Sequence, residues 1–268
     1  MNKISAYLCF MKFIDTHTHL YAEEFTSDID RVINHASELN VKKLLLPDID
    51  STTRLSMMDL HDRFPEQCPV MLGLHPTSVK ENYKKELEEI DRIIDKNRFC
   101  GIGETGIDLY WDKTFLDEQI DSFTYQVELA IRFELPIVIH ARKSLNEIFS
   151  VLNNFKNKGL TGVFHCFPGN IQEAQRAIDF GFYLGIGGVV TYKNSSMAEV
   201  VKNFSLNHIL IETDAPYLSP APLRGKRNES ANIPIIAAFI AGLKQCDIAE
   251  VAEVTTQNAE NLFKIIAS

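Results

Sequence analysis

Two histidines, two residues apart, stand where a short apolar run of the chain ends. His17 and His19 follow Phe13 and Ile14 in the segment FIDTHTHL, which covers residues 13–20. Successive side chains of an extended strand alternate between its two faces, so both imidazoles should project to the same side. Neutral imidazole is a common ligand of divalent metal ions. The spacing therefore suggests two ligands of one metal, although a His-x-His pair alone is weak evidence.

The same pattern, an apolar run that ends in a side chain able to bind a metal, recurs along the chain. The later runs end in His75, Glu104, His140, His165, and the pair Glu212 and Asp214. A single buried histidine usually has only a packing role, but the repeated placement favours a metal site. We interpret His35, His61 and His208 differently, as surface or packing residues, because they lie in predicted helices or at the start of a strand.

Short runs rich in β-branched and aliphatic residues alternate with longer amphipathic stretches, which indicates strands that alternate with helices. We predict strands at residues 12–17, 43–47, 69–75, 99–104, 136–140, 161–165, 182–186 and 208–212. We predict helices at residues 28–40, 52–64, 83–96, 115–134, 144–158, 171–180, 195–203, 232–245 and 248–266. Eight strand–helix units predict an α/β fold of the (β/α)8 TIM-barrel type. Active sites of this fold form at the C-terminal strand ends, so the metal-binding side chains should meet at one mouth.

Composition limits the class of protein. The chain has 268 residues, 45% of them hydrophobic and 24% charged, which fits one barrel-sized domain. We expect that domain at residues 11–268 and a short N-terminal extension at residues 1–10, whose apolar part is too short for a signal peptide. No apolar run approaches the roughly 18 to 20 residues that span a bilayer, so no membrane association is expected.

The cysteines and the net charge limit the expected cellular location and the expected mode of nucleic acid binding. The five cysteines are odd in number, scattered and free of any Cys-x-x-Cys pair, which favours a reduced, cytoplasmic location. The net charge of −9 disfavours a protein that coats long nucleic acid, because such binding neutralises many phosphates. It is compatible with a nuclease, whose metal ions supply positive charge locally.

Six segments that contain the metal-binding side chains share a distinctive pattern. They are DTHTHL at 15–20, GLHP at 73–76, GETGID at 103–108, LPIVIHAR at 135–142, FHCFPG at 164–169 and ETDAPYL at 212–218. The set closely resembles the TatD-type deoxyribonucleases, and the match continues into the last helix. That family belongs to the metal-dependent barrel hydrolases and uses Mg²⁺, Mn²⁺ or Zn²⁺.

The resemblance implies two divalent metal ions per chain. One would be held by His17, His19 and Asp214, the second by His140 and His165, with Glu104 bridging the two. Glu104 and Asp214 would be the catalytic residues, and Asp214 would accept the proton of the attacking water. Glu212, on the same strand face as Asp214, is interpreted as a residue that orients a histidine or water.

The resemblance also implies a nucleic acid substrate, DNA or RNA. The confined barrel mouth and the net charge of −9 favour trimming from a strand end, and the resemblance favours the 3′ end. Single strands or frayed ends suit a confined barrel mouth. We expect His75, Arg142 and Arg224 to bind substrate phosphates, with Lys226 and Arg227 as weaker candidates, since arginine can donate two hydrogen bonds to a phosphate. No obligatory protein partner is evident.

Two alternatives stay open. The same hydroxide could attack a carbonyl carbon, so the chain could be a D-aminoacyl-tRNA deacylase, a lactonase or an amidase. The cationic residues favour a phosphorylated substrate, which includes tRNA. A catalytically inactive binding barrel is the second alternative, and the full set of ligand-type residues counts against it.

Overall fold

The structure, a computed structural model, describes residues 11–94, 99–193 and 195–267. The expected extension at residues 1–10 and the end of the helix predicted at 83–96 therefore lie outside the described residues.

Within these residues, eight parallel strands form the inner wall of the fold. They are β1 (Phe13–Asp15), β2 (Val41–Leu44), β3 (Val70–Leu72), β4 (Phe99–Asp108), β5 (Ile137–Arg142), β6 (Gly162–Phe164), β7 (Phe182–Ile186) and β8 (Ile209–Ile211). β1 pairs with β2, and β3 to β8 pair in chain order. All of these pairings are parallel.

Two further junctions close the strands into a ring. A parallel bridge between Leu46 and Val70 joins the end of β2 to β3, and a second bridge between Thr18 and Ala215 joins the segments that follow β1 and β8. Each strand is followed by helical structure, as right-handed parallel crossovers require. The predicted (β/α)8 TIM barrel is therefore confirmed.

The helices occur where the amphipathic pattern places them. In the described part of the chain they are α1 (Ile29–Glu38), α2 (Ser51–Arg63), α3 (Tyr83–Ile94), α4 (Leu116–Phe133), α5 (Leu145–Asn153), α6 (Ile171–Asp179), α7 (Met197–Asn203), α8 (Ile233–Lys244) and α9 (Ile248–Phe263). The helix predicted at 144–158 is the largest overestimate, since α5 ends at Asn153. None of these helices is long and apolar enough to cross a membrane.

β4 is longer than its sequence pattern predicts, and the difference matters for the site. The predicted strand ends at Glu104, whereas β4 continues to Asp108. Residues 106–108 pair in register with residues 140–142 of β5. Pairing with the neighbouring strand thus extends β4 through a Gly-containing segment that looked like a loop.

The last helix, α9, packs against the barrel interior at the N-terminal ends of the strands. Inward-facing residues such as Ile14, Met71 and Val138 form one buried cluster with Leu262 and Phe263 of α9. Alternate side chains of a strand face opposite sides, so this cluster is separate from the larger core between strands and helices. α9 therefore fills the N-terminal end of the barrel and leaves the C-terminal end for chemistry.

A buried amide attaches α9 to the strand that closes the ring. The Asn258 Nδ2 group donates hydrogen bonds to the carbonyl oxygens of Leu206 at 2.8 Å and Ile209 at 2.9 Å. Asn258→Leu should lower the free energy of unfolding by about 2–4 kcal/mol, since each unpaired buried polar group costs roughly 1–3 kcal/mol.

Urea unfolding followed by circular dichroism would measure this effect. The matched control is Asn261→Leu, one turn later at an exposed position of α9, which should change stability by no more than about 0.5 kcal/mol. Equal stability of the two variants would contradict the role given to Asn258.

Candidate metal centre

The strand ends bring together the side chains that the sequence singles out. His17 and His19 follow β1, His75 follows β3, His165 follows β6, and Glu212 and Asp214 follow β8. Glu104 and His140 lie within β4 and β5. All six predicted metal ligands, together with His75 and Glu212, therefore meet at the C-terminal mouth of the barrel.

The Glu104 carboxylate lies at the centre, only 2% exposed. Its Oε2 atom is 3.1 Å from His17 Nε2 and 3.6 Å from His19 Nε2. Asp214 Oδ1 completes this side of the centre at 3.4 Å from His19 Nε2 and 3.8 Å from His17 Nε2. Two imidazole nitrogens and two carboxylates thus converge on one point.

The other carboxylate oxygen faces a separate group of histidines. Glu104 Oε1 is 2.9 Å from His140 Nδ1, 3.4 Å from His75 Nε2 and 3.6 Å from His165 Nε2. His75 Nε2 is also 3.3 Å from His140 Nδ1, so His75 lies inside the cluster. We expected this residue to bind a substrate phosphate, and the geometry also puts it within reach of a metal.

Further polar groups orient the imidazoles from outside. Glu212 Oε1 is 3.0 Å from His165 Nδ1 and accepts a hydrogen bond of 2.6 Å from the Cys166 N–H. Asp108 Oδ2 is 3.0 Å from His140 Nε2, and the Tyr21 hydroxyl is 3.0 Å from His19 Nδ1.

The sequence prediction gave no role to Asp108 or Tyr21. A signal for Asp108 exists, because residues 104, 106 and 108 face one side of a strand, but it requires β4 to continue beyond residue 104. Tyr21 follows the His-x-His pair in a turn, where no periodicity indicates its direction.

Asp15, which the sequence prediction also left without a role, connects β1 to β8. Its fully buried carboxylate accepts hydrogen bonds from the Thr213 N–H at 2.9 Å and the Thr213 hydroxyl at 2.5 Å. Burial raises the pKa of Asp15 to about 7, although these hydrogen bonds oppose the rise. The contact sets the spacing between the segments that carry His17 and Asp214.

The backbone at Asp214 is unusual for a residue with a side chain. Its φ is 58°, in the left-handed region that few non-glycine residues adopt. The Asp214 N–H donates a hydrogen bond of 2.9 Å to the His17 carbonyl. This conformation turns the carboxylate towards His19, and such conformations cluster at functional sites.

Electrostatics of the centre reflect dense packing of anions and imidazoles. Burial raises the pKa of Glu104, but the surrounding histidines outweigh this effect and hold that pKa well below its usual range. Burial lowers the pKa of His165, yet the carboxylates of Glu212, Glu104 and Asp214 raise it to about 10. The pKa of His17 is lowered, chiefly by burial.

The donor set suits divalent cations. His17 Nε2 and His19 Nε2 approach each other to 3.3 Å, and two ring nitrogens so close need a shared proton or a cation between them. The buried His17 Nδ1 has no hydrogen-bond partner among the described residues. Mixed nitrogen and carboxylate ligation fits Zn²⁺ or Mn²⁺ and tolerates Mg²⁺.

The centre opens into a cavity of about 1400 Å³ that includes Arg142 in its lining. Arg224 does not line this cavity. It lies over the Tyr192 ring, 4.6 Å from the centroid, in an adjoining pocket of about 490 Å³. Tyr217 and Leu218 line both spaces. The predicted phosphate contacts are thus divided between two connected pockets.

Lys226 and Arg227 line the smaller pocket with Arg224, but their environments differ. The Arg227 guanidinium pairs with Asp28 and Glu229, each at 2.8 Å. The pair with Asp28 attaches the loop after β8 to the start of α1, and Glu229 lies two residues further along the same loop as Arg227.

Comparison with known proteins gives a consistent result. The family model described as "TatD related DNase" matches residues 14–264. The metal-dependent hydrolase YabD of Bacillus subtilis (strain 168) is 35% identical over 252 residues, which cover 94% of this chain and 98% of YabD. The metal-dependent hydrolase YcfH of Escherichia coli (strain K12) is 31% identical over 264 residues, with coverage of 96% and 98%.

A solved structure shows the same architecture. The crystal structure of YjjV, a TatD homolog from Escherichia coli K12, superposes with a TM-score of 0.89 at 26% sequence identity and covers 95% of this chain and 98% of that one. The residues matched by the family model, 14–264, include the strand ends that carry the carboxylates and imidazoles of the centre. The chain therefore belongs to the TatD family and is a metal-dependent hydrolase built on a TIM barrel.

Proposed function

We propose that the chain is a two-metal nuclease that hydrolyses phosphodiester bonds at the end of a nucleic acid strand. One observation carries the proposal: the two oxygens of the Glu104 carboxylate face different groups of histidines. A carboxylate in that position can bridge two cations, because each cation lowers the cost of burying its charge.

The geometry supports a ligand assignment that agrees with the family resemblance. One ion would be held by His17, His19 and Asp214 with Glu104 Oε2. The other would be held by His140 and His165 with Glu104 Oε1. His75 is close enough to Glu104 Oε1 to bind this second ion or a substrate oxygen beside it.

Bound divalent ions lower the pKa of water and stabilise negative charge on phosphoryl oxygens. The protein supplies the remaining chemistry. Asp214 accepts the proton of the attacking water, since its carboxylate faces the centre. Burial raises the pKa of Asp214, but the neighbouring histidines outweigh this effect and lower it, so the carboxylate is ionised and has a free site for the proton. His75 and Arg142, both in the cavity lining, orient the phosphate, and Glu212 and Asp108 hold the imidazoles of His165 and His140.

Three observations support a nucleic acid substrate. The family model is described as that of a related DNase. Arg142 and Arg224 are exposed in two connected pockets, at positions where successive phosphates could bind. The net charge of −9 and the confined mouth favour a strand end over a duplex interior.

We also propose a cytoplasmic location, which the four free cysteines of the described residues support.

The first prediction concerns the bridge. Wild-type protein titrated with Mn²⁺ or Zn²⁺ should approach two ions per chain by elemental analysis, and Glu104→Ala should bind fewer. Turnover of Glu104→Ala should fall by at least about 10²-fold, the scale seen when one electrostatic group of an active site is removed. Glu88→Ala, at an exposed position of α3, is the control and should retain full activity. Retention of a tenth of wild-type activity by Glu104→Ala would show that Glu104 does not bridge.

The second prediction concerns Asp108. Asp108→Asn keeps an acceptor for the Tyr110 and Trp111 N–H groups but presents an amide donor to His140 Nε2. His140 must then carry its proton on Nδ1, the atom that faces Glu104, where it blocks metal binding. Metal affinity should fall about 10- to 100-fold, as for other residues that orient ligands.

Isothermal titration with Zn²⁺ against a competing chelator would measure this loss. Asp112→Asn, which changes a carboxylate paired with Lys80 near the same loop, is the control and should leave the affinity unchanged. Equal affinities for the two variants would contradict the orienting role of Asp108.

The third prediction concerns the strand end. End-labelled single strands should give a ladder that shortens from one terminus, the 3′ end in our expectation, whereas a closed circular single strand should resist cleavage. Three or four phosphate contacts predict a slope of roughly −2 to −3 in log affinity against log salt, at about −0.7 per contact. Rapid cleavage of the circle would contradict end trimming, and cleavage of an aminoacyl ester or lactone alone would favour the carbonyl-hydrolase alternative.

A further inference from the structure

The cavity rim carries an aromatic side chain that packing does not explain. Trp111, the single tryptophan of the chain, is 69% exposed and lines the cavity. Large aromatic side chains are usually buried, and an exposed one at the mouth of a site is typical of a binding surface.

The carboxylate of Asp108 contacts both the turn that carries Trp111 and a histidine of the candidate metal centre. Asp108 Oδ1 accepts hydrogen bonds from the N–H groups of Tyr110 at 2.8 Å and Trp111 at 3.1 Å. The other oxygen of Asp108 contacts His140 Nε2 at 3.0 Å. The turn that presents the indole is therefore fixed relative to the catalytic histidines.

An arginine lies against the same aromatic pair. The Arg142 guanidinium is 3.9 Å from the centroid of the Tyr110 ring and 5.1 Å from that of Trp111. Such cation–π contacts hold an exposed guanidinium in place. A cation that can bind a phosphate and a ring that can stack thus stand side by side.

A second exposed aromatic residue, Tyr217, lines the same cavity. Tyr217 is 53% exposed and lies 6.2 Å from the His19 ring, centroid to centroid. Its N–H donates to the Asp214 carbonyl at 2.8 Å, and its own carbonyl accepts from Asn228 Nδ2 at 2.7 Å. Trp111 follows β4 and Tyr217 follows β8, which are four strands apart in a ring of eight, so the two rings stand on opposite sides.

We propose that Trp111 and Tyr217 stack nucleobases on the two sides of the scissile phosphate, so that the enzyme selects unpaired nucleotides over other phosphodiesters. This inference rests on the proposed function, because it states how that site chooses its substrate. Base stacking on aromatic rings requires single-stranded nucleic acid, since bases in a duplex are already stacked on one another. Arg142 beside Trp111 then binds the phosphate of the stacked nucleotide.

A small lactone or a simple phosphate ester would not use two rings on opposite sides of the mouth. A chain of nucleotides would, because its phosphate lies between consecutive bases. Tyr217 adjoins His19 of the cluster, whereas Asp108 connects Trp111 to His140. Stacking is worth roughly 1–3 kcal/mol per base, and it discriminates poorly among bases because each has a π face. The surface therefore predicts preference for unpaired strands with little sequence specificity.

The test uses the intrinsic fluorescence of Trp111, which reports on that position alone because the chain has one tryptophan. Chelated wild-type protein is titrated with a thymidine oligomer of about six nucleotides, within the usual range of single-strand sites. The control ligand is an oligomer of the same length and charge made of abasic tetrahydrofuran residues. The thymidine oligomer should alter the fluorescence to saturation and bind more tightly than the abasic oligomer by at least about 5- to 150-fold, the ratio that corresponds to 1–3 kcal/mol for one stacked base.

Variants separate the indole from the rest of the surface. Trp111→Ala should lower the ratio of thymidine to abasic affinity by about 5- to 150-fold, the contribution of one stacked base, measured by anisotropy of labelled oligomers, and Trp111→Phe should retain most of the ratio. Phe239→Ala, which removes an exposed aromatic on α8 outside the cavity lining, should leave the ratio unchanged.

The outcomes distinguish this inference from the proposed function. Equal binding of both oligomers with no change in fluorescence would overturn the stacking proposal, even if added Mn²⁺ then produced hydrolysis of both. Tight, base-dependent binding without hydrolysis on addition of metal would support the stacking surface and overturn the nuclease assignment.

Discussion

A single buried anion governs the architecture of this site. Glu104 is almost completely excluded from water, and an isolated buried carboxylate would be severely destabilised unless cationic or hydrogen-bonding groups surround it. Five imidazoles approach its oxygens within 3.6 Å, three on one side and two on the other. Burial of the carboxylate therefore requires that its strand and four other strand ends keep a fixed relative position.

Contacts outside the cluster of Glu104 and its histidines hold these strand ends in place. The Glu104 N–H donates to the carbonyl of Asp48 at 2.9 Å, and the Asp48 carboxylate pairs with Arg54 of α2 at 2.8 Å. Asp15 and Thr213 fix β1 against β8. The centre is thus held by strands and helices, which position side chains more accurately than loops do.

The rim has a different character from the centre. The imidazoles and carboxylates supply hydrolytic chemistry that can act on several kinds of bond, whereas the loops after β4 and β8 present exposed aromatic rings. Asp108 belongs to both regions, since one oxygen contacts His140 and the other fixes the turn of Trp111. Asp108 therefore connects the imidazole cluster to the turn that presents Trp111 at the rim.

The sequence alone determined the barrel and the identity of the residues at its mouth, because both depend on local periodicity. Apolar runs of strand length mark β1 to β8, and the two-residue spacing of His17 and His19 follows directly from strand alternation. The placement of Glu104, His140, His165 and Asp214 at strand ends then follows from the closed parallel topology.

Tertiary structure decided what depends on neighbours distant in the chain. Pairing with β5 extends β4 to Asp108, and a hydrogen bond to the His17 carbonyl accompanies the left-handed conformation of Asp214. The same holds for the position of His75 beside His140 and of Arg224 in a separate pocket. Periodicity reports which face of an element is buried, but the direction of a side chain in a loop is set by contacts that form only when the barrel closes.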